Sequence, residues 1–217
     1  MLTELRKPAL VVIDMQNDFV RRGAPLEVPS ARQTIPAIRT LIQAFRAGAK
    51  PVLFTRYIAA PLYRPLARKL GWIGLLDAPT YACVPGFLRS YADAEGMLDA
   101  AGVIDELAPL SGESVLDKIY FSAFHATDLD ERLKGLEVDG LVFVGTVTEM
   151  CVEDSARHAV HFGYPTVLVE DAVSSNHVPS HRATLDGFAR NYGWVMTADA
   201  VLTTLGLSAP ASVRAPA

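Results

Sequence analysis

The chain has 217 residues, half of them apolar and a fifth charged, with 20 Lys and Arg against 24 Asp and Glu for a net charge of -4. That length suffices for one domain (1–217, with a core over 8–204 and a tail over 205–217) that buries roughly 70% of its unfolded surface without a metal or disulfide. The acidic balance argues against a nucleic-acid partner, and no run approaches the ~18 apolar residues of a membrane helix or the form of a signal peptide, so no membrane partner and a cytoplasmic location are expected.

Short apolar runs of strand length alternate with stretches of helical period, the pattern of βαβ units. Strands are expected at "ALVVID" (9–14), "PVLFT" (51–55), "SVLDK" (114–118), "LVFVGT" (141–146), "TVLVED" (166–171) and "WVMT" (194–197). Six such strands predict a single-domain α/β fold, a doubly wound and mostly parallel sheet with helices on both faces. Between the first two, Ile35, Ile38, Leu41, Ile42 and Phe45 recur at spacings of three and four, with Ser30 or Thr34 placed to cap the helix and Gly48 to end it. Further helices fit 151–162, about 180–192 and 198–205. The stretch from Arg56 to Ala101 is rich in Pro, Gly and Tyr and is the expected source of loops around a substrate. The tail "SAPASVRAPA" is expected to fray or to cross onto a partner subunit.

Parallel sheets bind ligands outside the carboxyl ends of their strands, where loops converge. The first strand ends in Asp14, the third in Lys118, and the fourth leads through a Gly and Thr turn into Cys151 at the start of a helix. Taken singly, each has a bland reading as a turn acid, a solvated edge charge and a buried filler thiol. Together they fit one chemistry: a thiol beside an ammonium has its pKa lowered, and a neighbouring carboxylate takes the thiol proton and returns it to a leaving group. In a reducing compartment Cys83 and Cys151, the only two cysteines, are expected as free thiols.

The segments "ALVVIDMQNDF", "DKIYFSAFHATDLDERLK" and "VGTVTEMCVEDSARHAVHFGYPTVLVEDAVSS" resemble those of the isochorismatase-like cysteine hydrolases over about residues 8–204. Gly145, Thr148, Cys151 and Val152 match the G-x-x-T-x-x-C-V pattern of that family, and "DMQNDF" at 14–19 is nearly as specific. The resemblance implies Asp14 as general base, Lys118 as its charged partner and Cys151 as nucleophile. It also implies a cis peptide at Thr146–Val147, with the backbone N–H groups of Val147 and Cys151 forming an oxyanion hole. The reaction so implied is hydrolysis of a small amide or ureide through a thioester, by a homodimer or homotetramer.

Nicotinamidases of this family hold a metal with an Asp and histidines after the second strand. Here that stretch reads "TRYIAAPLYRPLARKL", and no histidine occurs before His125. No metal or cofactor is therefore expected. His158 and His161 are three apart on a helix, but without further ligands they read as a solvated face. Arg56, after the second strand, has the fork to bind a substrate carboxylate or ureido oxygen, or else pairs with a structural acid. Phe19 and Tyr120 are expected as walls of the substrate pocket, with packing the alternative for Tyr120. Two other chemistries compete: a vinyl ether hydrolase using Asp14 with no covalent step, and a thiol redox protein in which the T-x-x-C of Thr148 and Cys151 works with Cys83. The first has no use for Cys151, and the second none for Asp14 and Lys118.

Overall fold

The computed structural model describes residues 3, 5–59 and 69–208. The tail beyond Ser208 and part of the expected loop region, 60–68, lie outside the described residues. Six strands, β1 (Pro8–Ile13), β2 (Val52–Tyr57), β5 (Ser114–Lys118), β6 (Gly140–Thr146), β7 (Thr166–Ser174) and β8 (Trp194–Met196), form one sheet in the order β5-β2-β1-β6-β7-β8. All five pairings are parallel. All six strands coincide with apolar runs expected to be strands. A separate pair, β3 (Leu88–Arg89) and β4 (Leu98–Asp99), is antiparallel and too short to leave a periodic signal in sequence.

The α-helices among the described residues are α1 (Asn17–Val20), α2 (Ala31–Ala47), α3 (Leu129–Gly135), α4 (Glu153–His161), α5 (Val178–Asn191) and α6 (Ala198–Leu205). The alternation of side chains along β1 divides the core between the two faces of the sheet. Leu10 and Val12 join Ile38, Leu41, Ile42 and Phe45 of α2 and Val201 of α6. Ala9, Val11 and Ile13 face Leu129 and Leu133 of α3, Ala156 and Ala159 of α4, and Phe188 of α5. Each fully buried Leu, Ile or Phe contributes about 1.5–3 kcal/mol, so β1 anchors both halves of the core.

Helix α2 departs from expectation at its start. Ser30 stands at the N-cap position but makes no side-chain capping bond, because its hydroxyl instead donates to the Ser175 carbonyl at 2.9 Å, tying the helix to the loop after β7; Thr34 lies inside the helix, its hydroxyl donating to the Ala31 carbonyl. Helix α3 has only Leu129 and Leu133 as buried residues, too few for its period to be recognised. The Asp171 carboxylate accepts the backbone N–H of Ala198 at the start of α6.

The chain order reverses between β1 and β6, and in a doubly wound sheet that switch point opens a crevice at the strand ends. Here the backbones come very close. Gly145 has φ +114°, and a Cβ at that position would lie 2.0 Å from the Ile13 carbonyl oxygen. Gly145→Ala is therefore expected to cost about 3 kcal/mol or more of stability, since neither strand can retreat without parting the sheet at its centre. An unchanged urea midpoint for this variant would contradict that close approach.

Candidate active site

Asp14 leaves the end of β1 at φ +49°, in the left-handed region that Asp tolerates better than most residues. This turn, with Gln16 donating to the carbonyls of Tyr57 and Ala101, fixes the segment after β1 beneath the loops. The Asp14 carboxylate is fully buried. Its Oδ1 accepts a hydrogen bond from the Thr55 hydroxyl at 2.6 Å, and that hydroxyl in turn accepts the Asp14 backbone N–H. Its Oδ2 meets Lys118 Nζ at 2.7 Å in an ion pair between two side chains with no exposure at all.

Lys118 starts two strands away, roughly 10 Å across the sheet, and only a long side chain spans that gap. Its ammonium passes over the Tyr57 ring at 5.4 Å and also donates to the Tyr120 carbonyl at 3.1 Å. Burial works against this charge, but the Asp14 carboxylate beside it outweighs that cost and holds the ammonium above the ordinary lysine range.

Cys151 sits in a π-helical turn, Thr148–Val152, that precedes α4 and whose Met150 and Val152 N–H groups both bond to the Val147 carbonyl. The turn is braced on several sides. Thr148 Oγ1 is hydrogen-bonded to His181 Nδ1 at 2.9 Å, and Ser155 donates to the Cys151 carbonyl while accepting the Ala123 N–H. The peptide bond at Thr146–Val147 is cis. Asp14 and Lys118 are the two side chains whose charges and hydrogen bonds bear on the Cys151 thiol.

The charge state of that thiol differs from the expectation of a lowered pKa. Burial pushes the Cys151 thiol far up; Lys118 pulls it down and Asp14 pushes it further up, and burial prevails. The resting site therefore holds a neutral thiol beside an Asp14–Lys118 ion pair. Because the folded value is raised above the unfolded one of about 8.5, Cys151 contributes stability that is complete below that pH and is lost as pH rises toward the folded value. Wild-type protein is thus expected to lose stability relative to Cys151→Ser only above about pH 8.5. Its ultraviolet difference spectrum against that variant should show no thiolate band at neutral pH. A thiolate band already present at about pH 6 would reverse the assignment.

A cavity of about 330 Å³ opens beside Cys151. Phe19, as expected, is one of its walls, with Leu26, Trp72, Leu75 and Phe121 supplying further apolar surface, and Val147 and Cys151 both border it. Arg56 and Tyr120 do not. Arg56 forks onto Asp117, its neighbour across the strand pair, at 2.7 and 2.8 Å, because strand alternation sends it to the face opposite Thr55 and Tyr57. The Tyr120 ring packs edge-on against His125 over a different hollow, leaving its backbone carbonyl as its contribution to the site. His158 is not a solvated residue: its ring bonds to the Ser122 hydroxyl and stacks on Phe162. Thr55, Trp72, Phe121 and Glu149 were not legible as site residues, since each depends on strand register or loop placement.

The family model described as the isochorismatase domain matches residues 8–200. The ureidoacrylate amidohydrolase RutB of Rhizobium rhizogenes is 30% identical over 93% of this chain and 85% of its own length. Among solved structures, a cysteine hydrolase from Pseudomonas syringae superposes with a TM-score of 0.78 at 26% identity, covering 96% of this chain and 94% of that one. The N-carbamoylsarcosine amidase of Thermoplasma acidophilum gives a TM-score of 0.71 at 32% identity, over 89% and 97% of the two chains.

Proposed function

The chain belongs to the isochorismatase family, and we propose that it is an amidohydrolase that opens the C–N bond of a small amide or ureide through a thioester on Cys151. The observation that carries this reading is the fully buried Asp14–Lys118 ion pair beside the thiol, at the edge of a cavity of small-molecule size. The amidase names of several relatives support the same bond class.

With a neutral resting thiol, attack and deprotonation are coupled. The Asp14 carboxylate takes the thiol proton as sulfur bonds to the carbonyl carbon, and Lys118 keeps that carboxylate ionised and aimed until the proton arrives. Backbone N–H groups of Val147 and Cys151 hold the developing oxyanion. Asp14 then passes its proton to the departing nitrogen, the C–N bond breaks, and ammonia or an amine leaves the thioester behind. Water attacks next, giving its proton to Asp14, and the carboxylic or carbamic acid departs as the thiol recovers that proton. The cycle balances with water as the only co-reactant.

This chemistry calls for no Lewis acid, and no group of three or more His, Cys, Asp or Glu among the described residues is arranged to hold a metal. The experiment is a screen for ammonia release from small amides and ureides, run before and after exhaustive treatment with EDTA. Release from at least one compound, unchanged by chelation, is the expected result. Silence across the panel would remove the amidohydrolase reading, and activity lost on chelation and restored by zinc would replace the metal-free mechanism. The same proposal extends to a cytoplasmic homodimer or homotetramer; among the described residues no helix is long and apolar enough to cross a membrane.

A further inference from the structure

Within the cavity beside Cys151, the polar groups of the wall fall into two kinds. The Glu27 carboxylate is committed: one oxygen accepts from Arg32 at 2.8 Å and the other from the Gly23 N–H at 2.9 Å. The Asn176 amide donates to the Glu27 carbonyl at 2.9 Å. Glu149 is only half committed. Its Oε1 accepts from the Ser175 hydroxyl at 2.7 Å, whereas its Oε2 is buried and has no hydrogen-bond partner.

A buried acceptor is almost always paired with protein, water or a ligand, so an orphaned carboxylate oxygen on a residue that lines the cavity points to a donor that arrives from outside. The position of Glu149 is also fixed. It lies two residues before Cys151 in the π-helical turn, next to Thr148 on its His181 hydrogen bond, and Ser175 holds its other oxygen. The remaining wall is mostly apolar, and among the described residues no Lys or Arg lines the cavity. Among the described residues a substrate carboxylate would meet the like charge of Glu149 with no guanidinium to fork onto, whereas an amine or N–H would find an acceptor on a wall residue. The volume has room for about ten water-sized groups.

We propose that Glu149 is a specificity-determining residue, accepting a hydrogen bond from an amino, ammonium or N–H group of the substrate, so that the preferred amide has an apolar body and carries a donor in place of a carboxylate. The inference rests on the amidohydrolase reading for what occupies the cavity. Its test separates binding from turnover.

Three benzamides of matched size serve as probes, each as meta and para isomers: one bearing an aminomethyl group, one an ethyl group and one a carboxylate. Their affinities are measured by calorimetry on the full chain carrying Cys151→Ala, which leaves Glu149 untouched. For at least one ring isomer, the aminomethyl compound is expected to bind at least about tenfold tighter than the ethyl compound, with the carboxylate weakest. Adding Glu149→Gln should reduce the aminomethyl-to-ethyl ratio to within about threefold. Tightest binding by the carboxylate, equal or absent binding across the series, or a ratio that survives Glu149→Gln overturns the proposal. If the affinity order holds and wild-type protein releases no ammonia from any of the amides, the amidohydrolase reading falls and the donor site stands.

Discussion

Cys151→Ala is expected to lower kcat on any amide substrate by about ten-thousand-fold or more while leaving the urea midpoint close to that of wild type. The alanine keeps the backbone of the π-helical turn and its Thr148, Ser155 and Ser175 contacts, so the site retains its shape and the Asp14–Lys118 pair. What disappears is the sulfur that would form the covalent bond with the carbonyl carbon. The residual rate measures what Asp14 achieves by activating water directly, and hence how far a vinyl-ether type of chemistry, with no thioester, explains the protein. Retention of more than about a tenth of the wild-type rate defeats the covalent mechanism. A mass increase equal to the acyl group, trapped on wild-type protein and absent from the variant, is the accompanying positive observation.

The meeting of Asp14, Lys118 and Cys151 was legible because the first two stand where an apolar run stops and the third follows the turn after another, and strand ends in a parallel sheet converge by topology alone. Phe19 was legible for the same reason, being carried five residues past Asp14 on the short helix that follows β1. Arg56 was not, since its direction depends on which face of β2 it occupies and on its register against Asp117, neither of which local composition reveals. The apolar wall comes from Leu26, Trp72, Leu75 and Phe121, brought together from separate loops. The protonation state of Cys151 escaped for a different reason: the sequence shows that a cation and a thiol meet, but not that both are shielded from water. Desolvation reverses the sign of the expected shift.

Lys118→Met is expected to destabilise the protein by about 3–5 kcal/mol as well as to remove most activity. On the sequence alone Lys118 reads as the charged partner of Asp14 or, taken singly, as a solvated edge charge, but it is 1% exposed and its ammonium is the counter-charge of a fully buried carboxylate. Methionine matches its stem in length and flexibility, so the loss isolates the charge from the packing. Asp14 is then left with the Thr55 hydroxyl and its own desolvation, and it relieves that cost by taking up a proton, which ends its service as a base. Removing the second charge removes the conflict. The double variant Asp14→Asn with Lys118→Met should therefore be more stable than Lys118→Met alone, with a coupling of about 1–3 kcal/mol from urea unfolding of the four proteins. Strict additivity, or a Lys118→Met midpoint equal to that of wild type, would mean that the charge of Lys118 is satisfied elsewhere. The Asp14–Lys118 pair would then not be the element that keeps the carboxylate ionised beside the thiol.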